Sequence, residues 1–283
     1  MNELPADPFF VALFILKKIQ EGVSFAVVDA IFYSIKFFHV SVNLQDPCDT
    51  PVVENLYEAA KRLLFSPKNR KEPITIDLIH KIYDNLIRNN LNHKLTNLRL
   101  FVLIILGYTG FLRYSELSVL RRCDFISYDT YMEVFIEKSK CDVYREGKWL
   151  TIAKFEDDIC PVKNLKLYLE SSLIDEESDE YIFRAITDFP KQGFQKLKKL
   201  NKPLSYTRAR EIILEALKDV GEDPKKYGTH SLRSGGASSA ANAGIPDRMF
   251  KRHGRWKSEK AKDGYIKDNL TSLLSVSRSL GIS

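Results

Sequence analysis

Apolar side chains recur at intervals of three and four over residues 8–21 and again over 24–42, the period that gathers them onto one stripe of an α-helix, with Ser24 set as an N-cap. A third run, 51–65, opens with proline in its first turn and stops before the polar, proline-flanked, basic stretch 66–73, which reads as a linker. Residues 74–88 and 95–108 again carry helical spacing, the second apolar nearly all round and so expected to be buried. A short helix is predicted over 113–121, with Arg113 and Glu116 one turn apart. The pattern then changes to two β-prone runs, 131–137 and 149–153, joined by a charged turn at 138–148. Helical spacing resumes at 162–173 and 207–220, with a short strand expected at 181–184. Residues 230–243, rich in Ser, Ala and Gly, read as a tightly packed helix closed by Gly244-Ile245-Pro246. Two short helices, 246–253 and 258–267, precede an apolar tail at 270–280.

These elements predict a mainly α protein with a small β-sheet. At 283 residues and 44% hydrophobic content, two domains are the better expectation, 1–67 and 68–283. The start of the chain lacks the charged and apolar regions of a signal peptide, and its apolar runs are too short to span a bilayer. A soluble intracellular protein is expected, nuclear in a eukaryote and cytoplasmic otherwise, with no membrane partner. Its four cysteines, Cys48, Cys123, Cys141 and Cys160, are widely spaced, which suggests reduced thiols rather than a disulfide framework or a zinc site.

The net charge of +6 is a weak pointer by itself, and its distribution says more. Residues 1–70 hold seven basic and eight acidic side chains, whereas 225–267 hold eleven basic and three acidic. Such clustering attracts phosphate regardless of sequence, although a solvated basic face is the plainer explanation of any charge run. Within this stretch Lys251, Arg252, Arg255 and Lys257 are the candidate DNA contacts.

The same stretch carries His230-x-x-Arg233, then Trp256, then Tyr265. Phosphodiester exchange needs a nucleophile, donors for the charge that builds on the phosphorane, and an acid for the departing hydroxyl. Arg113 and Arg233 offer guanidinium forks for nonbridging oxygens, though either alone would more often be a surface or capping arginine. Glu116 can orient Arg113 across one helical turn, as ordinary ion pairs also do. His230 can face the same phosphate as Arg233 and move the tyrosine proton. A histidine beside an apolar face is more often a packed residue, and His253 is read as such or as facing DNA. Trp256 can pack on Tyr265 and donate its indole N–H. Tyr265, one of thirteen tyrosines, is marked as nucleophile only by its spacing from Trp256. Lys140, in the charged hairpin turn, is preferred over Lys138 as the general acid.

Together with Thr109-Gly110-Phe111-Leu112-Arg113-Tyr114-Ser115-Glu116-Leu117, these residues resemble the active-site set of the tyrosine recombinases, the integrase family. Arg113 sits in a Thr-Gly-x-x-Arg-x-x-Glu-Leu block like that around the family's first arginine. Ser139-Lys140 resembles the Ser-Lys-Thr motif with Cys141 in place of threonine. Trp256 stands where many members have a second histidine and some have tryptophan. The resemblance covers roughly residues 72–268, with a helical region before it like the family's core-binding (SAM-like) domain, here about three helices where four or more are common. The wording of 138–147 and 232–236 is similar to recombinases of eukaryotic mobile elements of the DIRS-like, Ngaro and Crypton types. The resemblance implies cleavage and rejoining of double-stranded DNA through a 3′-phosphotyrosine, without metal, ATP or other cofactor. It also implies four protomers on two duplexes, with the tail at 270–280 docking on a neighbouring subunit or packing in cis. Two alternatives stand beside it: DNA relaxation of the type IB topoisomerase kind, and a domesticated DNA-binding protein that has lost catalysis or assembly.

Overall fold

The computed structural model describes residues 4–67, 70–89, 94–138, 142, 144 and 146–281. It divides into two compact units, 1–70 and 71–283. The first is built from α1 (Pro8–Gln20), α2 (Phe25–Ser41) and α3 (Pro51–Leu63). Asp7 caps α1 by accepting from the Phe9 amide, and Pro51 occupies the first turn of α3, where its missing N–H would have no partner in any case. Their shared core holds Val11, Ile15, Val28, Phe32, Val53 and Ala60.

The second unit is assembled around α5 (Leu95–Thr109), whose side chains are buried on every side by α4 (Ile76–Tyr83), α7 (Pro161–Ser172), α8 (Tyr206–Asp219) and α9 (His230–Asn242). Thr75 caps α4 through the Leu78 amide, and α4 runs on into a π-helical turn at Asp84–Arg88. A three-stranded antiparallel sheet in the order β1 (Phe125–Ser127), β2 (Tyr131–Ile136), β3 (Lys148–Ala153) lies on the same core through Met132, Val134, Leu150 and Ile152. The alternation of buried and exposed residues along β2 and β3 is the period-two pattern of a half-buried sheet.

Two features differ from the reading of the sequence. A second antiparallel hairpin, β4 (Ile186–Phe189) with β5 (Phe194–Leu197), had no counterpart in it. The strand expected at 181–184 is reduced to isolated bridges, Arg121 with Tyr181 and Arg184 with Pro203. The linker stretch 66–73 is also only partly a linker, because the Glu72 and Ile74 amides donate to the carbonyls of Lys226 and Ser231 and fix its end to the second unit. The remaining elements are α6 (Tyr114–Leu117), α10 (Asp247–Gly254), α11 (Glu259–Asp263) and α12 (Leu270–Arg278). Among the described residues no helix is long and apolar enough to cross a membrane.

Candidate active site

The small residues of α9 determine how near its candidate site residues, His230 and Arg233, come to the rest of the unit. A β-carbon on Gly235 would overlap the Ile74 carbonyl, and one on Gly236 would overlap that of Tyr108 at the end of α5. Only glycine permits this approach, which brings α9 against the turn following α5. In that turn Phe111 adopts a left-handed backbone with φ 48°, strained for a bulky residue, and its carbonyl accepts from both Arg233 and Arg255.

Arg113 follows as the N-cap of α6. Glu116, three residues on, closes a capping box by accepting from the Arg113 amide at 2.9 Å, and its other oxygen pairs with the Arg113 guanidinium at 2.9 Å. The pair therefore meets at a helix start and not along a helix running to 121. The Glu116 carboxylate is buried and also faces Arg255 at 3.0 Å and Arg233 at 3.8 Å. One carboxylate thus anchors three guanidinium groups, and positive charge remains in excess.

Arg233 is 0% exposed. Its Nη1 donates to the Phe111 carbonyl and its Nη2 to that of Gly254 at 2.6 Å, while its guanidinium lies 4.6 Å from the Trp256 ring and 4.9 Å from the Tyr265 ring. Burial, with Arg113 and Arg255 nearby, lowers its pKa. Among the described residues, Arg233 Nε and Trp256 Nε1 are buried N–H groups with no hydrogen-bond partner. Trp256 stacks on Phe250 at 5.0 Å, and a β-carbon on Gly254 would collide with its ring.

Tyr265 stands just past α11, which ends at Asp263, so the helix expected over 258–267 is shorter and the tyrosine sits in the turn after it. Its ring is 5.9 Å from Trp256 and 6.2 Å from His230. Burial opposes the charge on the Arg113 guanidinium, but Glu116 and Tyr265 outweigh it and raise its pKa. His230 opens α9 and is exposed at its edge. Partial desolvation of its ring, with Arg113 and Arg233 close by, holds it below the ordinary histidine value. A neutral imidazole beside a tyrosine is suited to accept its proton.

Arg113, Glu116, His230, Arg233, Trp256 and Tyr265 therefore converge. Lys140 lies outside the described residues. The basic residues divide. Arg252 and Lys257 are exposed, and Lys251 is half-buried in ion pairs with Glu259 and, at 2.9 Å, Asp247. Arg255, read from the sequence as a DNA contact, is 7% exposed. As the left-handed C-cap of α10, with φ 57°, it turns inward to Glu116 and to the carbonyls of Gly110, Phe111 and His253. His253 is a packed residue whose Nε2 lies 2.7 Å from the Thr109 carbonyl, and burial lowers its pKa.

No family model matches the chain. It is 27% identical over 270 residues to an integrase/recombinase XerD homolog of Selenomonas ruminantium, spanning 94% of this chain and 75% of that protein. Its fold matches the XerA recombinase with a TM-score of 0.53 at 16% identity, covering 100% of this chain and 86% of that one. The Tn1549 transposon integrase in complex with transposon right end DNA matches with a TM-score of 0.61 at 15% identity, covering 99% and 87%. The XerH site-specific recombinase bound to a palindromic difH substrate gives 0.63 at 15% identity, covering 97% and 70%. In sequence over nearly its whole length, and in fold, the chain is similar to the tyrosine-recombinase and integrase superfamily.

Proposed function

We propose that the protein is a site-specific DNA recombinase that cleaves and rejoins strands through Tyr265. The observation that carries this reading is the convergence of His230, Arg233 and Trp256 on the Tyr265 ring, with Arg113 joined to Arg233 through their shared Glu116 carboxylate. In this reading Tyr265 Oη forms a bond to the scissile phosphorus while the bond to the 5′ oxygen breaks. His230 takes the tyrosine proton, and Lys140 is the proposed donor to the departing oxygen. Arg113 and Arg233 hold the nonbridging oxygens as charge develops on them. The unpartnered indole N–H of Trp256 supports a phosphate ligand, since a buried donor without a partner costs about 1–3 kcal/mol and a phosphate oxygen would satisfy it. Arg233 lies beneath the rings of Trp256 and Tyr265, so phosphate entry requires the tyrosine to shift off the guanidinium.

Arg252, Lys257 and Lys251 are the proposed contacts to duplex DNA, and Arg255 is assigned to the interior. Assembly as a tetramer on two duplexes, with the exposed apolar residues Leu270, Leu273 and Val276 of α12 at a subunit contact, belongs to the same reading. So does kinship with DIRS-like, Ngaro and Crypton recombinases, which rests on motif wording. The test is trapping on nicked suicide duplexes carrying the ends of its own element. Wild type is expected to form a covalent protein–DNA adduct and Tyr265→Phe none. Relaxation of supercoiled DNA without strand exchange would favour the topoisomerase alternative, and DNA binding without any adduct the noncatalytic one.

A further inference from the structure

His230, Ser234, Ser238 and Asn242 form a single row on α9, each four residues from the next and hence on one face. The first of them meets the ring of Tyr265, and the last two meet the backbone that follows it. The Ser238 hydroxyl donates to the Tyr265 carbonyl at 3.4 Å and accepts from the Lys267 amide at 2.9 Å. The Asn242 side chain donates to the Lys267 carbonyl at 3.2 Å and accepts from the Asn269 amide at 3.1 Å. Each side chain therefore brackets a two-residue step, engaging a carbonyl and the amide two positions later. The spacings agree: four residues of helix rise about 6 Å, and two residues of extended chain advance about 6.6 Å. Asn242 also accepts from the Ser272 hydroxyl at 3.2 Å, which carries the bracket into α12.

The geometry points to Ser238 and Asn242 as positioning residues, a two-toothed latch that sets the register of the nucleophile segment 265–269 along the helix bearing His230 and Arg233. This assignment rests on the reading of Tyr265 as the nucleophile. Neither side chain touches the reacting atoms. Each fixes the backbone from which the phenol projects, on the same helix that carries its proton acceptor and one of its phosphate clamps. A slip of one residue in the segment would move the ring away from both. Ion pairs of Lys262 with Asp247 at 2.5 Å and with Glu259 at 2.6 Å hold the other side of the tyrosine, so the latch governs its C-terminal flank.

Two measurements test the latch. In the DNA-free protein, amide exchange at Lys267 should accelerate about 10-fold or more in Ser238→Ala, and that at Asn269 in Asn242→Ala, with the melting temperature of the unit little changed. On suicide duplexes, single-turnover adduct formation by either variant should fall about 10- to 100-fold while DNA affinity stays within about 2-fold. Asn242→Asp, which keeps the acceptor for Asn269 and loses the donor to Lys267, should fall between wild type and Asn242→Ala. Unchanged exchange at Lys267 and Asn269 in the two alanine variants, or a loss of DNA affinity equal to the loss of rate, overturns the assignment. Failure of wild type to form any adduct removes the recombinase reading and the catalytic role of the latch, whereas unchanged exchange removes the latch alone.

Discussion

Helices α2 and α5 have similar apolar sequences and opposite surroundings. α5 is enclosed by four helices, and even its one arginine, Arg99, is buried with its guanidinium donating to the Arg184 carbonyl at 2.6 Å. α2 belongs to a unit of three helices and leaves Val27, Tyr33, Phe37, Phe38 and Val40 exposed. The difference lies in the number of neighbours. A 70-residue unit cannot surround a helix, while the larger unit can. The two units also differ in charge, nearly balanced in residues 1–70 and strongly basic over residues 225–267 around the candidate site. The first therefore presents apolar side chains and the second a cationic stretch.

This contrast can be tested by substitution, beginning with the core. Phe101→Ala, at a residue 0% exposed, should cost about 3–5 kcal/mol in urea unfolding of the second unit, whereas Phe37→Ala, at one 74% exposed, should stay within about 0.5 kcal/mol. Equal losses would mean that α2 is covered by something in solution. Next comes the charge cluster. Glu116→Gln leaves two buried guanidinium groups and the partly buried one of Arg113 without their carboxylate and should destabilise the second unit by about 3 kcal/mol, measured by the same unfolding curves. A neutral outcome would mean that the backbone carbonyls alone hold Arg233 and Arg255.

The pH response should also belong to the second unit. His230 and His253 are held below the ordinary histidine value, so the unfolded chain takes up their protons at higher pH than the folded one does. Their contribution is complete above the unfolded value of about 6.5 and is lost as pH falls through it toward the folded values. The melting temperature should drop on acidification through this range, and His253→Gln should flatten the slope. The smallest effect on stability is expected on the basic surface. Arg252→Glu and Lys257→Glu should change unfolding by less than about 0.5 kcal/mol yet weaken DNA binding and reduce its salt slope, as read in titrations at several ionic strengths.

The helices and the central hairpin were legible in the sequence because a periodic pattern records which face is buried. The β4–β5 hairpin was not, since Ile186-Thr-Asp-Phe189 and Phe194-Gln-Lys-Leu197 are four-residue strands with little alternation, although Pro190 and Gly193, the latter at φ 70°, mark their turn. In the candidate site, the meeting of Arg113, His230, Arg233 and Trp256 with Tyr265 could be anticipated from residue type and order. Arg255 could not. Its place among basic neighbours suggested a surface, and the left-handed turn that sends it inward is a property of the helix end. The latch was equally hidden, because Ser238 and Asn242 act through backbone groups that every residue possesses.

If the protein is the recombinase proposed above, the cover over Arg233 separates two events in time. On that reading, DNA meeting Arg252 and Lys257 would find a guanidinium still closed beneath two aromatic rings, so contact by itself would not commit the protein to cutting. A recombinase that keeps one of its two proposed phosphate-binding arginines out of reach would search DNA without nicking it. The displacement of a single tyrosine then becomes the decision to cut.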